Sequence, residues 1–209
     1  ISYMYSQDSV ATFGSASNHP VVFNVSNGEK ARIDTSGNLL IGTTTEGTGS
    51  GDNLTVAASG NMGLTLRSTS SNYCNIYFSD ATSGTAEYEG YMSYNHATDS
   101  LEFATGHTER LRINSSGQLL LGTTTPGAAQ VDTFTLETSG HTGMTLFSGT
   151  SSRGTIAFGD GRSGNAQYRG VILYEHSNDS MRFATADTTI QVVPLSKTTS
   201  STSYAVESA

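Results

Sequence analysis

One phrase occurs twice in this chain. "KARIDTSGNLLIGTTTEG" runs from Lys30 to Gly47 and "RLRINSSGQLLLGTTTPG" from Arg110 to Gly127. Arg32 thus matches Arg112, Ile33 matches Ile113 and Gly42 matches Gly122, at an offset of 80. The same shift lays "NYCNIYFSDATSGTAEYEGYMSYNHATDSLEFAT" (Asn72 to Thr105) on "SRGTIAFGDGRSGNAQYRGVILYEHSNDSMRFAT" (Ser152 to Thr185) without an insertion. A fixed period with no slippage marks one structural unit reused along a chain, and it constrains the fold before any local propensity is weighed. The period divides the sequence into a partial unit (1–47), a full unit (48–127), a third unit (128–199) with a divergent end, and a polar terminal segment (200–209).

Within a unit, apolar residues alternate with period two and no stretch sustains a helical period, which predicts an all-β chain. Parity fixes the pairing. With Gly106, His107 and Thr108 as a three-residue loop, Thr105 faces Glu109, Phe103 faces Leu111 and Leu101 faces Ile113. That register puts Glu102 opposite Arg112 on the other, outward face, whereas a two-residue loop would set Phe103 against Arg110, which parity disfavours. Ser115-Ser116-Gly117 closes the next turn and brings Ile113 to Leu119, with Gly117 supplying the left-handed residue of a bulged hairpin. Thr35-Ser36-Gly37 and Ser26-Asn27-Gly28 serve alike in the earlier unit. "YNHATDSL" is a turn that sets Tyr94 opposite Leu101 and Met92 opposite Phe103. Each unit therefore reads as an antiparallel β-meander with one apolar face, built on Phe103, Leu111, Ile113 and Leu119, with Phe183 as the third unit's copy of Phe103.

Such a meander needs a cover. Hydrophobic residues make up 35% of the chain and Trp is absent, so a lone unit buries too little to stand by itself. Three chains wound about one axis would bury the apolar face and protect the strand edges. A single-chain sandwich is the competing solution. Net charge is −8, which argues against nucleic acid or anionic membrane as a partner. No apolar run nears the roughly 18 residues of a membrane-spanning helix, so membrane insertion is not expected. The lone Cys74 excludes an internal disulfide and, within "YCNIYF", reads as a small sheltered thiol. Opening on Ile1, the sequence reads as a piece of a longer or processed polypeptide.

"YNHATDSLEFATGHTERLRINSSGQLLLGTTTP" (Tyr94 to Pro126) resembles the repeats of tailed-bacteriophage tail fibres, in which phrases such as "ERLRIDSSGNVGIGTTSP" recur. The likeness covers residues 18–47, 72–127 and 152–185. It implies a β-rich homotrimeric fibre of the virion, extracellular when functioning, that serves as a rigid shaft or spacer in host attachment. Its implied partners are itself, other tail components, and a host surface glycan or protein receptor. Related repeats occur in bacterial surface proteins, so an extracellular filament or adhesin is the first rival; a glycan-degrading tailspike is the second. The third unit departs from the pattern. "TIQVVPLSKTTSS" places Pro194 where Asn114 stands, so its closing hairpin is expected to fail and 186–209 to form a junction or terminal segment.

Chemistry is sparse in this sequence, and neither an enzyme nor a cofactor is expected. "GDGRSG" (Gly159 to Gly164) has the glycine spacing of a dinucleotide loop but precedes the strand-like "NAQYRGVILY" rather than a helix, so a hairpin loop is expected. His96 and His176 occupy equivalent turns and would make a metal site only as a ring on a threefold axis; turn chemistry, with Asp99 or Asp179 bonding the backbone, is the plainer reading. A glycosidase needs two converging carboxylates. Yet Glu87, Glu89, Glu102 and Glu109 become Gln167, Arg169, Arg182 and Thr189 one period later, as a solvated surface would. Ten tyrosines offer stacking platforms in the absence of Trp, with packing the plainer role for those that recur. The differences that introduce charge near "GDGRSG" nominate Arg153, Arg162 and Arg169 as a surface for an anionic glycan, against salt bridging or drift as the plainer account.

Overall fold

The computed structural model describes residues 2–7, 10–185, 188–192 and 207–208. Among these, every regular element is a strand or a short 3-10 turn, and the chain is all-β. It divides into two units, 1–117 and 118–209. In the first, β1 (Ser2–Gln7) and β2 (Val10–Ser15) form an antiparallel pair. A second sheet holds β3 (Val21–Val25), β4 (Gly28–Ile33), β5 (Leu39–Ile41) and β6 (Leu54–Val56) in that order. A third runs antiparallel through β7 (Tyr73–Phe78), β8 (Gly90–Asn95), β9 (Ser100–Thr105) and β10 (Thr108–Ile113). The second unit contains the parallel pair β11 (Leu119–Leu121) and β12 (Phe134–Leu136). Its larger sheet is β13 (Arg153–Phe158), β14 (Gly170–Glu175), β15 (Ser180–Thr185), β16 (Thr188–Val192) and β17 (Glu207–Ser208). The bounds of β4 to β9 reappear 80 residues on as those of β10 to β15.

The apolar pairs fall where parity puts them: Phe103 opposite Leu111, Leu101 opposite Ile113, Met92 opposite Phe103 and Tyr94 opposite Leu101. The loop itself differs. Thr105 pairs with Thr108, not Glu109, so the turn has two residues, and a bulge between Glu109 and Leu111 leaves Arg110 outside the ladder. Gly106 and His107 have φ of 55° and 46°, the two left-handed residues of a type I′ turn, whose twist matches that of the strands. Ser26 and Asn27 (φ 52° and 58°) make the same turn between Val25 and Gly28, again followed by a bulge that omits Lys30. A two-residue turn plus one bulged residue shifts the strand as a three-residue loop does. The distal pairs are therefore identical; nearer the turn Thr108 takes Thr105, Glu109 takes Ala104 and Arg110 is left out.

The Thr35-Ser36-Gly37 turn is closed by the Asp34 amide donating to the Asn38 carbonyl (3.0 Å), with Gly37 at φ 92°. It sets Ile33 opposite Leu39 and Ala31 opposite Ile41; Gly117, its copy, has φ 78°. The third unit's closing hairpin, expected to fail at Pro194, lies outside the described residues; the hairpin before it is formed. β15 and β16 pair without a bulge from Thr185–Thr188 to Met181–Val192, with Phe183 opposite Ile190. Ile190 stands where Arg110 is bulged out and instead joins the ladder; Pro194 lies outside the described residues. Residues Gly164–Tyr168 form a 3-10 turn, not the start of a strand, as do Gly84–Tyr88.

Alternation gives no sign of β6 and β12, which pair parallel to β5 and β11: Leu39 with Leu54, and Leu119 with Phe134. After β5 the chain leaves at Gly42, loops through 43–53 and returns on the same side. Gly42 has φ 74°, and a Cβ there would lie 2.1 Å from the Ala57 carbonyl oxygen; at Gly122 (φ 77°) the same distance to Glu137 is 2.1 Å. Only glycine fits so close a crossing in that conformation. Leu40 and Leu120, beside these crossings, are 1% and 0% exposed.

Candidate functional site

The sheet of β7 to β10 has two contrasting faces. One carries Ile76, Phe78, Met92, Tyr94, Leu101, Phe103, Leu111 and Ile113, as the alternation requires. Within one chain that face is open: Phe78 is 63% exposed and Ile113 40%. Leu40, Ala104 and Leu120 are the buried apolar residues among those described. Phe183, in the second unit, is exposed as well.

The other face is the better covered, and here the expectation of an outward Glu102 is corrected. Glu102 does pair with Arg112, at 3.4 Å, but is only 6% exposed, and Ser93 and Ser100 are buried beside it. The cause is a hydrogen-bond network sheltered by tyrosine rings. Ser100 Oγ donates to Glu102 Oε1 (2.7 Å), Ser93 Oγ to Asn75 Oδ1 (2.6 Å), and Asn95 Nδ2 to the Tyr73 hydroxyl (3.0 Å). Arg112 Nε also donates to Glu109 Oε1 at 2.5 Å, so one guanidinium serves two carboxylates. Buried polar atoms are tolerable when bonded in this way. Burial, followed by the nearby Glu102 and Glu109 charges, raises the Tyr91 hydroxyl above its usual value.

The nominated arginines have separate local partners. Arg153, on β13, forms an ion pair with Glu175 directly across the ladder on β14. Its guanidinium, by hydrogen bonding, holds the Glu175 carboxyl below the usual range. Arg169 Nε lies 3.2 Å from each Asp160 carboxylate oxygen. Arg162 is exposed in the loop between them in sequence and makes no ion pair among the described residues. Two of the three are thus matched within the chain.

His96 and His176 stack edge-on against Tyr94 and Tyr174, each at 4.9 Å, and His96 Nε2 lies 3.5 Å from Cys74 Sγ. No group of three metal-ligating side chains occurs among the described residues. Asp99 and Asp179 bond differently from the expectation: each adopts the left-handed conformation and accepts from a tyrosine hydroxyl, Tyr94 at 3.3 Å and Tyr174 at 3.0 Å, instead of from the backbone. Those bonds came from residues five apart across a turn, a spacing that alternation alone does not single out. No protein-family model matches the sequence, and no curated protein matches it at a significant level.

Proposed function

We propose that the chain is a structural, non-enzymatic segment of a trimeric bacteriophage tail fibre, built from tandem units of about 80 residues. It acts as a rigid shaft or spacer in host attachment, outside the cell, with other tail components as its neighbours. The observation that supports this best is the surface left uncovered. Within one chain large apolar side chains lie open: Phe78 is 63% exposed, Phe158 57% and Phe183 44%. They lie on the faces that carry Phe103 and Phe183, which two further copies of the same chain can close symmetrically.

Sedimentation equilibrium at micromolar concentration tests the reading. The expected species is three chains that dissociate only as they unfold; a stable, folded monomer overturns it. Mass spectrometry of purified particles tests the location, since recovery from bacterial surface fractions instead of virions would favour the filament or adhesin.

A further inference from the structure

The tyrosine-bearing face of the β7–β10 sheet is not flat. Tyr77 and Tyr91 stand opposite each other across β7 and β8, their rings edge to face with centroids 6.3 Å apart. Tyr88, closing the 3-10 turn, lies 6.4 Å from Tyr77. Between these rings and Tyr73 the surface sinks into a cleft of about 290 Å³ floored by Asn75, Ser93 and Glu102. The rim is open and the floor sheltered: Tyr77 is 55% exposed and Ser93 2%.

We infer that this cleft binds a saccharide, through an uncharged pyranose ring. A pyranose has an apolar C–H face and a hydroxyl-rich edge, and the cleft offers a match for both. Aromatic rings that keep a polar tip in water suit the first. For the second, the floor places a donor near an acceptor. Ser93 occupies Asn75 Oδ1, so the Asn75 amide N–H groups remain available. Ser100, Arg112 and Asn95 all converge on Glu102 Oε1, leaving Oε2 to accept. A pocket lined by aromatic rings with a few placed polar groups is the usual form of a small-ligand site. Quaternary ammonium groups also sit among aromatic rings, but methylated nitrogen offers no acceptor to the Asn75 amide.

The copy 80 residues on provides a contrast inside the same chain. Asn75, Tyr77, Tyr91, Ser93 and Glu102 become Thr155, Ala157, Val171, Leu173 and Arg182, and Tyr88 alone of the rings persists, as Tyr168. On the opposite face Ile76, Phe78 and Phe103 are kept as Ile156, Phe158 and Phe183. The sheet therefore forms without the cleft, and the cleft residues change together. The inference stands apart from the fibre proposal, because the cleft is complete within one chain.

Saturation-transfer difference NMR on the full chain tests it, with the methyl glycosides of glucose, galactose and N-acetylglucosamine at millimolar concentration and with N-acetylneuraminic acid and choline as charged probes. Transfer to the C–H protons of at least one uncharged sugar is expected, lost in Tyr77→Ala and in Asn75→Ala and unchanged in Tyr168→Ala. Circular-dichroism melts check that each variant folds; if Tyr77→Ala does not, Asn75→Ala decides. Absence of transfer to every uncharged sugar, its survival in the variants, or transfer to the charged probes alone overturns the inference. Sedimentation of the same samples keeps a failure of sugar binding separate from a failure to trimerise.

Discussion

At the scale of single residues, cross-strand neighbours change as pairs. Tyr73 and Asn95 are ladder partners joined by a hydrogen bond, and one period later the partners are Arg153 and Glu175, joined by an ion pair. Because the Arg153 guanidinium depresses the Glu175 carboxyl, the stabilisation it gives is complete above the unfolded carboxyl's pKa. It is lost as pH falls through the lower, folded value. Arg153→Ser should therefore lower the melting temperature at neutral pH and leave it nearly unchanged at the acid end, as a pH series of thermal melts would record; equal losses throughout would contradict the pairing. Glycines divide just as sharply. Gly42→Ala meets both a positive φ and a carbonyl 2.1 Å away, while Gly37, at φ 92°, has open space around it. The first should cost well over about 1 kcal/mol and the second close to that figure, measured by urea denaturation. A Gly42→Ala protein as stable as Gly37→Ala would show that the crossing relaxes freely.

Among elements, alternation in the sequence was enough to find the meander and its register, because a slip of one residue would move every side chain to the wrong face. It could not tell a three-residue loop from a two-residue turn with a bulge, since both leave Phe103 opposite Leu111. Nor could it find β6 and β12: strands of three residues are too short to show a period, and their parallel partners lie beyond loops of Gly, Ser and Thr. The cleft was equally hidden. Its tyrosines were visible as residues, but only the pairing of β7 with β8 puts Tyr77 beside Tyr91. Sidedness misled for a physical reason, because the polar face bonds to itself under tyrosine rings while the apolar one has no cover within the chain. The type I′ turn at Ser26-Asn27 makes a prediction of its own. Asn-Gly is the pair best suited to two left-handed residues, so Ser26→Asn combined with Asn27→Gly should raise the midpoint of urea denaturation. A fall in the denaturation midpoint would exclude that turn.

For the whole molecule, the open apolar faces are the feature on which the assembly proposal rests. Large residues left in water on several sheets are a liability unless another surface meets them. If that surface belongs to two further copies, Phe103→Ser together with Leu111→Ser should shift the sedimenting mass from three chains toward one and expose the remaining face to the dye ANS. The conservative pair Phe103→Leu with Leu111→Ile should remain assembled. A polar double variant that still sediments as the parent does would remove this face from the interface.

The recurrence of element bounds from β4–β9 in β10–β15 bears on inheritance as much as on packing. A cut after Gly42 rejoined at Thr123 returns the seam to the neighbours it already has, since Thr43 and Thr123 both follow the same glycine crossing. Unequal crossing-over between the two stretches of gene would therefore delete or duplicate a whole period without breaking a turn. Length in such a protein is open to change in one genetic event, by whole steps, with no intermediate that must fold badly first.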